Sequence, residues 1–336
     1  MGSGCSSSLP ALCLNFVDLI AKVHLASCEG HVMDADQILI AGVGGLGCAW
    51  AKGAKVRCSS ETDVLLIDAD DESFVDAGSA HVLRLGHTLD SVGCAALPPL
   101  AEQRMRGLAS RTRPFLETAE LVILVTGLGG GTGTGASHEF ARQAKLHGAT
   151  VLSIAALPFS QQPTRLKIAT TELQRLEHHS DVCVQLSLER LARQARTRGK
   201  DWSMGSEWVE DLVDGLVRTL LSMGLINLDL MDLRAIVRQP GASTMLVGSG
   251  HHDNLNELFE ATIKAPLAPM NVGGAKGCLL QIEGGIGMTI GQVDEIATAL
   301  TSAVDSEAQV ILGARVTPEL EGVIRVVMLL SGISDD

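Results

Sequence analysis

The sequence predicts an α/β fold, in which a parallel sheet flanked by helices is joined to a second, smaller α/β layer. Three observations predict it. Short apolar runs typical of buried strands alternate with stretches of helical periodicity, two of these runs end in glycine-rich turns, and one long apolar-striped helix divides the chain. The 336 residues, 46% of them hydrophobic, suffice for two domains or one large one.

The first half of the chain carries four predicted strands. They are the run from Gln37 to Val43 and residues 63–68, 120–126 and 149–155. A helix is predicted over about 136–147, where Gly148 stops it, and helical spacing returns over 164–180. Because parallel strands need a crossover connection, usually a helix, this order predicts a parallel sheet.

The second half begins with a long helix predicted at 207–223, which carries an apolar stripe and ends at Gly224. After it, strands at 244–248, 277–283, 309–313 and 323–330 alternate with helices near 253–264 and 291–303. This alternation predicts a separate α/β layer.

Four parts of the chain follow from these patterns. Residues 1–36 form an N-terminal extension, in which apolar spacing predicts a short amphipathic helix over 14–26. Residues 37–206 form the first α/β domain, 207–223 the connecting helix, and 224–336 the second α/β domain.

Composition excludes several classes of protein. With 39 acidic against 26 basic residues, the net charge of -13 argues against a general nucleic-acid binder. None of the eight cysteines forms a CxxC pair, so we expect neither a zinc site nor disulfides, and a reducing cytoplasm fits best. No run of 18 apolar residues predicts a spanning helix, and Met1–Ser6 fits both a lipidation motif and a common expression artefact.

Two glycine-rich turns carry the chemistry. The turn Gly42-x-Gly44-Gly45-x-Gly47 fits a loose dinucleotide-binding pattern or a simple tight turn. The segment 127–135 is more specific, because it places six glycines and two threonines between a strand and a helix. Glycine lets backbone N–H groups approach an anion, and the helix N-terminus attracts the same charge. This segment predicts a polyphosphate site that is not a Walker P-loop.

The run 129–135 (GGGTGTG) resembles the signature of the tubulin/FtsZ family in its bacterial and archaeal form. Residues 38–47 resemble that family's first nucleotide loop, 224–233 its synergy loop, and 308–333 its closing strands. The resemblance spans about residues 36–333. It implies a Rossmann-like GTPase domain at 37–206, a central helix at 207–223, and a C-terminal activation and assembly domain at 224–336.

The resemblance also implies the site. GTP or GDP, with Mg²⁺ carried by the nucleotide, would be held by one subunit and hydrolysed with the synergy loop of the next, where Asp229, Asp232 and Asn227 would act. Asp229 and Asp232 could instead only cap the following helix. The implied nucleotide-binding residues are Gly44, Gly45, Leu46, Asp70, Gly93, Gly129, Gly130, Gly131, Thr132, Gly133, Thr134, Gly135, Gln162, Arg165 and Glu207.

Several positions depart from the family pattern. Leu188 falls where the family has a guanine-contacting asparagine, and leucine offers no hydrogen bond. Gln162 replaces an acid near the ribose, whereas Glu207 keeps an acid that favours guanine. We therefore expect GTP binding that is weaker or less base-selective than is usual for the family.

A head-to-tail contact that does not close gives an open filament, so the expected partner is a second copy of the chain. Two alternatives stay open: a polymerising scaffold with little GTP turnover, and an oxidoreductase built on the Gly42–Gly47 turn. The family's adaptor-binding tail is not evident after Ser334, which leaves the N-terminal extension as a possible attachment for a partner. No metal ligands are expected, because adjacent histidines such as His178-His179 and His251-His252 normally point apart.

Overall fold

A computed structural model describes residues 33–58, 62–86, 93–197, 199, 207–221, 225–226, 228–263, 265, 272–302 and 304–334, and the backbone of Val23–Leu25. Within this part of the chain, two sheets pack around a central helix, and the predicted α/β class is confirmed. No described helix combines the length and the apolarity that a membrane span requires.

The first sheet has six parallel strands. They are β2 (Ile38–Val43), β3 (Asp63–Asp68), β4 (His81–Arg84), β5 (Leu121–Gly127), β6 (Thr150–Leu157) and β7 (Val182–Ser187). Their order is β4-β3-β2-β5-β6-β7, so the direction of winding reverses between β2 and β5. The four inner strands were predicted. The edge strands β4 and β7 were not, because β4 is short and half exposed and β7 lacks a continuous apolar run.

Helices cover both faces of this sheet. They are α1 (Gly44–Arg57), α2 (Pro98–Arg106), α3 (Ala109–Leu116), α4 (Thr132–Leu146), α5 (Pro163–His178), α6 (Leu188–Thr197) and α7 (Glu207–Leu221). Alternate residues of β2 point to opposite faces. Ile38 and Ile40 join the core beneath α1 and α7, whereas Leu39 and Ala41 join the core beneath α4.

The second sheet contains β8 (Ala242–His251), β9 (Gly277–Gly284), β10 (Gln309–Val316) and β11 (Val323–Ile333) in the order β10-β9-β11-β8. Three helices accompany it: α8 (Leu230–Val237), α9 (Leu255–Ile263) and α10 (Ile290–Thr301). The long helix α7 joins the two sheets, because its buried stripe belongs to a core that extends into both.

One prediction about the N-terminal extension is wrong. Residues 23–25, which lie within the helix expected over 14–26, form strand β1 (Val23–Leu25), which pairs in parallel with β10 at the edge of the second sheet. The unpaired backbone groups of an edge strand can bind an extended segment, and those hydrogen bonds override helical spacing. Residues 14–22 and 26 lie outside the described residues.

A network of charged side chains, of which Asp214, Glu283 and Arg315 are buried, connects α7 to the second sheet. Asp214 Oδ1 accepts from Arg218 Nε at 2.8 Å, and Asp214 Oδ2 lies 3.1 Å from Arg325 Nη1. Glu283 on β9 pairs with Arg315 on β10, its neighbour in register, and Arg315 also donates to the Arg218 carbonyl at 2.5 Å. We call these two acids and three arginines the ion network.

A second buried polar cluster surrounds His138 on α4, whose side chain is only 2% exposed. Its Nε2 lies 3.5 Å from Glu172 Oε2 and 3.7 Å from Glu102 Oε2, and both carboxylates bind Arg175. Burial, followed by the charge of Arg175, lowers the pKa of His138 from 6.5 to about 4, although Glu102 and Glu139 act in the opposite direction.

We expect His138 to make folding stability sensitive to acid. Between pH 6.5 and 4 the unfolded chain takes up a proton that the folded chain does not, so the free energy of unfolding should fall by about 3 kcal/mol as the pH drops through this window. Urea denaturation of the wild type and of His138→Gln checks this. The difference between the two should change with pH, whereas exposed His147→Gln should track the wild type. A difference that stays constant from pH 7 to pH 4 would contradict the prediction.

Candidate functional site

The main cavity, of about 790 Å³, opens at the carboxyl ends of β2, β3 and β5, where the sheet reverses its winding. This is the edge at which open α/β sheets bind ligands. Both glycine-rich turns found in the sequence contribute to its wall. The predicted residues that line it are Gly44, Gly45, Leu46, Asp70, Gly93, Gly130, Gly131, Thr132, Gly133, Gln162 and Arg165.

The two glycine turns meet at Gly44 and Gly133, which leave each other no room for a side chain. Gly44 has a φ of 77°, and a Cβ there would lie 2.8 Å from the Gly133 backbone. A Cβ on Gly131 would lie 2.8 Å from the Cys94 carbonyl. Gly130 differs, because a Cβ on it would meet no atom within 4 Å. Gly130 lines the cavity and has open space beside its Cα, whereas Gly129 and Gly131 are closely packed.

Two helices direct their N-termini at the cavity. α1 begins at Gly44 and α4 at Thr132, and the first residues of both line the wall. The predicted start of α4, at about 136, is four residues too late. The predicted polyphosphate-binding segment 127–135, which we call the cradle, therefore includes the first turn of the helix. The first N–H groups of a helix have no partner within it, and the helix dipole is positive at that end. Two such ends at one point make a binding site for phosphate.

Three predicted residues support the cradle from behind and are not among those that line the cavity. The Thr134 hydroxyl is buried and accepts from the Gly129 N–H at 2.9 Å. A Cβ on Gly129 would lie 2.9 Å from the Arg165 carbonyl, and one on Gly135 would overlap the Pro98 carbonyl. These three positions fix the shape of the loop. The sequence motif alone does not distinguish this structural role from a role in ligand binding.

Lys52 also lines the cavity and was not predicted. Its Nζ donates to the Val75 carbonyl at 2.7 Å, and with Arg165 it supplies the positive side chains of the wall. A signal was present in the sequence, because Gly45, Ala49 and Lys52 are spaced four and three apart, and residues at that spacing share one face of a helix. All three line the cavity.

The acidic residues at and after the end of β3 accept hydrogen bonds from their own loop. Asp68 is buried, and its carboxylate accepts from the Ala69 N–H at 2.7 Å and from the Ser73 hydroxyl at 2.5 Å. Asp70 accepts from the Glu72 N–H at 3.2 Å.

Of the two positions implied to contact the nucleotide base, 188 lines the cavity and 207 does not. Leu188 lines the cavity together with Pro158 and Phe159, as the resemblance implied for position 188. Glu207 is half-buried at the first residue of α7, and no described residue of that helix belongs to the lining. Contact between Glu207 and a base therefore stays a prediction.

Asp229 and Asp232 form a reciprocal cap at the start of α8. The Asp229 carboxylate accepts from the Asp232 N–H at 2.9 Å, and the Asp232 carboxylate accepts from the Asp229 N–H at 3.1 Å. The capping alternative considered from the sequence is thus realised. A carboxylate has about four acceptor positions, so capping is compatible with a further role. Asn227 lies outside the described residues.

The capping acids lie at the opposite end of the first sheet from the main cavity. Arg234 of α8 donates to the Thr150 hydroxyl at 2.9 Å, and Thr150 is the first residue of β6. The cavity is at the carboxyl ends of the same parallel strands. Strands of six to eight residues are about 20–26 Å long. Asp229 and Asp232 therefore cannot reach the cavity of their own chain.

Known proteins resemble this chain over most of its length. Residues 37–196 match the Tubulin/FtsZ family GTPase domain, and residues 241–334 match the FtsZ family C-terminal domain. "Cell division protein FtsZ 1" of Pyrococcus abyssi is 30% identical over 305 residues, which cover 89% of this chain and 81% of that protein. "Cell division protein FtsZ 2" of Halobacterium salinarum is 30% identical over 301 residues, covering 88% and 77%.

Solved structures agree with these matches. A point mutant of FtsZ from M. jannaschii superposes with a TM-score of 0.79 at 25% identity, over 88% of this chain and 91% of the other. The GTPγS-bound protofilament of CetZ2 from Haloferax volcanii, at 17% identity, shows the same fold with a TM-score of 0.74 over 89% and 94%. The motifs, the cavity and these matches agree: the chain belongs to the tubulin/FtsZ family.

Proposed function

We propose that the chain is a cytoskeletal GTPase that binds GTP in the main cavity, assembles head to tail, and hydrolyses GTP where two copies meet. One observation carries the proposal: the cavity and the acid pair Asp229–Asp232 lie at opposite ends of the same sheet. Stacking one copy on another brings the acids of one to the cavity of the next. A contact of this kind does not close, so it builds an open filament.

GTP fits the lining of the cavity. The helix ends at Gly44 and Thr132 would hold the phosphates, and Lys52 and Arg165 would balance their charge. The Thr132 hydroxyl and the Asp70 carboxylate are oxygen donors of the kind that Mg²⁺ accepts, and this ion would neutralise charge on the phosphates. Hydrolysis then needs an oriented water. We assign that task to Asp229 and Asp232 of the next copy, whose carboxylates keep acceptor positions beyond those used in the cap.

Gly130 gives a direct test, because it lines the cavity and has room for a methyl group without a clash. Gly130→Ala should keep the melting temperature of the wild type, weaken GTP binding at least about tenfold by intruding on the phosphates, and abolish filaments in negative-stain electron microscopy. Gly287→Ala is the matched control, since a Cβ there also meets nothing within 4 Å but lies in the second domain. A Gly130→Ala protein that binds GTP and assembles like the wild type would refute the site.

The second candidate, a polymerising scaffold with little turnover, is favoured by one observation. Leu188 lines the cavity where a hydrogen-bonding residue would orient the base, and a loosely held nucleotide is a poor substrate. Phosphate release measured against protein concentration separates the two functions. Release that rises with concentration supports the GTPase, whereas filaments without release support the scaffold. Preference for ATP over GTP would contradict the assignment of guanine.

A further inference from the structure

We propose that His251, His252 and Asp253 bind a divalent transition metal ion, with Zn²⁺ as the best match, on the second domain and apart from the nucleotide site. Among the described residues, they are the one group of at least three histidine, cysteine or acidic side chains whose potential ligand atoms all lie within 4.8 Å of one another. Imidazole and carboxylate ligands together suit Zn²⁺, Ni²⁺ or Cu²⁺, whereas Mg²⁺ and Ca²⁺ prefer oxygen alone.

The distances in this cluster approach those of a metal site. Asp253 Oδ1 lies 3.2 Å from His252 Nδ1, and Asp253 Oδ2 lies 3.6 Å from His251 Nδ1. In a tetrahedral zinc site, bonds of about 2.0–2.1 Å place neighbouring ligand atoms about 3.3 Å apart. Rotation of the three side chains would bring one ligand atom from each residue into coordination, and His251 Nδ1 would then give up the hydrogen bond that it accepts from the Asp253 N–H at 3.3 Å.

Adjacent histidines meet here because the strand ends between them. Within a strand, successive side chains point to opposite faces, which is why the sequence favoured separate rings. His251 is the last residue of β8, and the chain turns at His252 and Asp253. The two rings lie with their centroids 4.7 Å apart and their planes inclined by 34°. The turn therefore brings together two histidine side chains that a continuous strand would direct to opposite faces.

Neighbouring elements hold this turn in place. The His252 N–H donates to the Gly322 carbonyl at 2.9 Å, and Gln292 Nε2 donates to the His252 carbonyl at 3.0 Å. Gly322 has a φ of 73°, and a Cβ on it would lie 3.2 Å from His251 Nε2. A backbone fixed from two sides lowers the entropy lost when ligands converge on an ion.

The cluster also leaves access for an ion and for an outside ligand. The side chains of His251, His252 and Asp253 are 53%, 35% and 73% exposed. Three protein ligands leave at least one coordination position for water or for a donor from another molecule. A second cavity of about 580 Å³, lined by His252 and residues 285–288, adjoins the site.

A second histidine pair provides a matched control within the same chain. His178 and His179 are also adjacent, with ring centroids 5.1 Å apart, but they belong to no described group of three potential ligands. Metal binding that depends on two neighbouring imidazoles alone would use either pair. Binding that depends on the three-residue cluster would use only His251, His252 and Asp253.

The test uses untagged, nucleotide-free full-length protein titrated with Zn²⁺ in a calorimeter, and Co²⁺ absorption to report coordination. We expect one strong site in the wild type, at least about a tenfold loss of affinity in His252→Gln and in Asp253→Asn, and no loss in His178→Gln/His179→Gln. Melting temperatures in EDTA confirm that all variants are folded. Unchanged Zn²⁺ binding in His251→Gln/His252→Gln/Asp253→Asn, or loss of binding in the His178/His179 variant, would overturn the proposal.

Discussion

Asp232→Asn is expected to lower GTP turnover about 10³-fold while leaving GTP binding and the melting temperature close to those of the wild type. The substitution removes the charge that would orient water in the cavity of the next copy. It keeps an amide oxygen that can still accept the Asp229 N–H. Steady-state phosphate release, together with nucleotide binding measured by fluorescence, checks both halves of the prediction.

Substitutions of Asp229 can separate its role as a helix cap from its proposed role in catalysis. Asparagine is as good an N-cap as aspartate, so Asp229→Asn should preserve α8 and still lose turnover, whereas Asp229→Ala should also lose about 1 kcal/mol of stability. Glu257→Gln, in the first turn of α9, removes an acid from a comparable position and should hydrolyse GTP normally. If Asp229→Asn and Asp232→Asn keep wild-type turnover, these acids serve only as a cap.

Mixing two inactive variants tests whether the acids act on another copy. Gly130→Ala keeps Asp229 and Asp232 but is expected to bind GTP poorly, whereas Asp232→Asn keeps the nucleotide site and loses one of the two acids. An equal mixture should recover turnover that neither variant shows alone. A mixture that stays inactive, although the two proteins are found together in complexes, would contradict action between copies.

Glu283→Ala is expected to destabilise the fold by about 4 kcal/mol, because it leaves Arg315 buried without its counter-charge. Urea denaturation without nucleotide measures the loss. Exposed Glu295→Ala on α10 is the control and should change stability by less than about 0.5 kcal/mol. Glu283→Met/Arg315→Leu removes both charges and should recover most of the stability. A loss below about 1 kcal/mol for Glu283→Ala would show that Arg315 finds other partners in the ion network.

The sequence predicts the centre of the first sheet better than its edges. Inner strands such as β2 and β5 are buried on both faces and show as continuous apolar runs, whereas β4 is half exposed and leaves no such pattern. The strand at Val23–Leu25 was missed because its pairing with β10 involves residues almost 290 positions away, which local spacing does not report.

The candidate site was also predicted only in part from the sequence. The glycine turns were evident because close backbone packing, as between Gly44 and Gly133, permits no other residue type. The roles within the motif were not evident, since Gly130 faces the cavity while Gly135 packs on Pro98. Lys52 could have been predicted from its helical spacing with Gly45, whereas the meeting of His251, His252 and Asp253 depends on where β8 ends, which only the structure shows.

The separation of cavity and acid pair across one sheet has a consequence for gene dosage. In the proposed filament, each complete site would take one half from each of two copies, so every chain would contribute to two sites and complete neither alone. In a mixed population, turnover should fall in proportion to the share of copies with a defective acid pair. Copies defective at both ends would reduce turnover with the square of the wild-type share. The harm done by an altered allele would thus be set by how many ends of the subunit it damages.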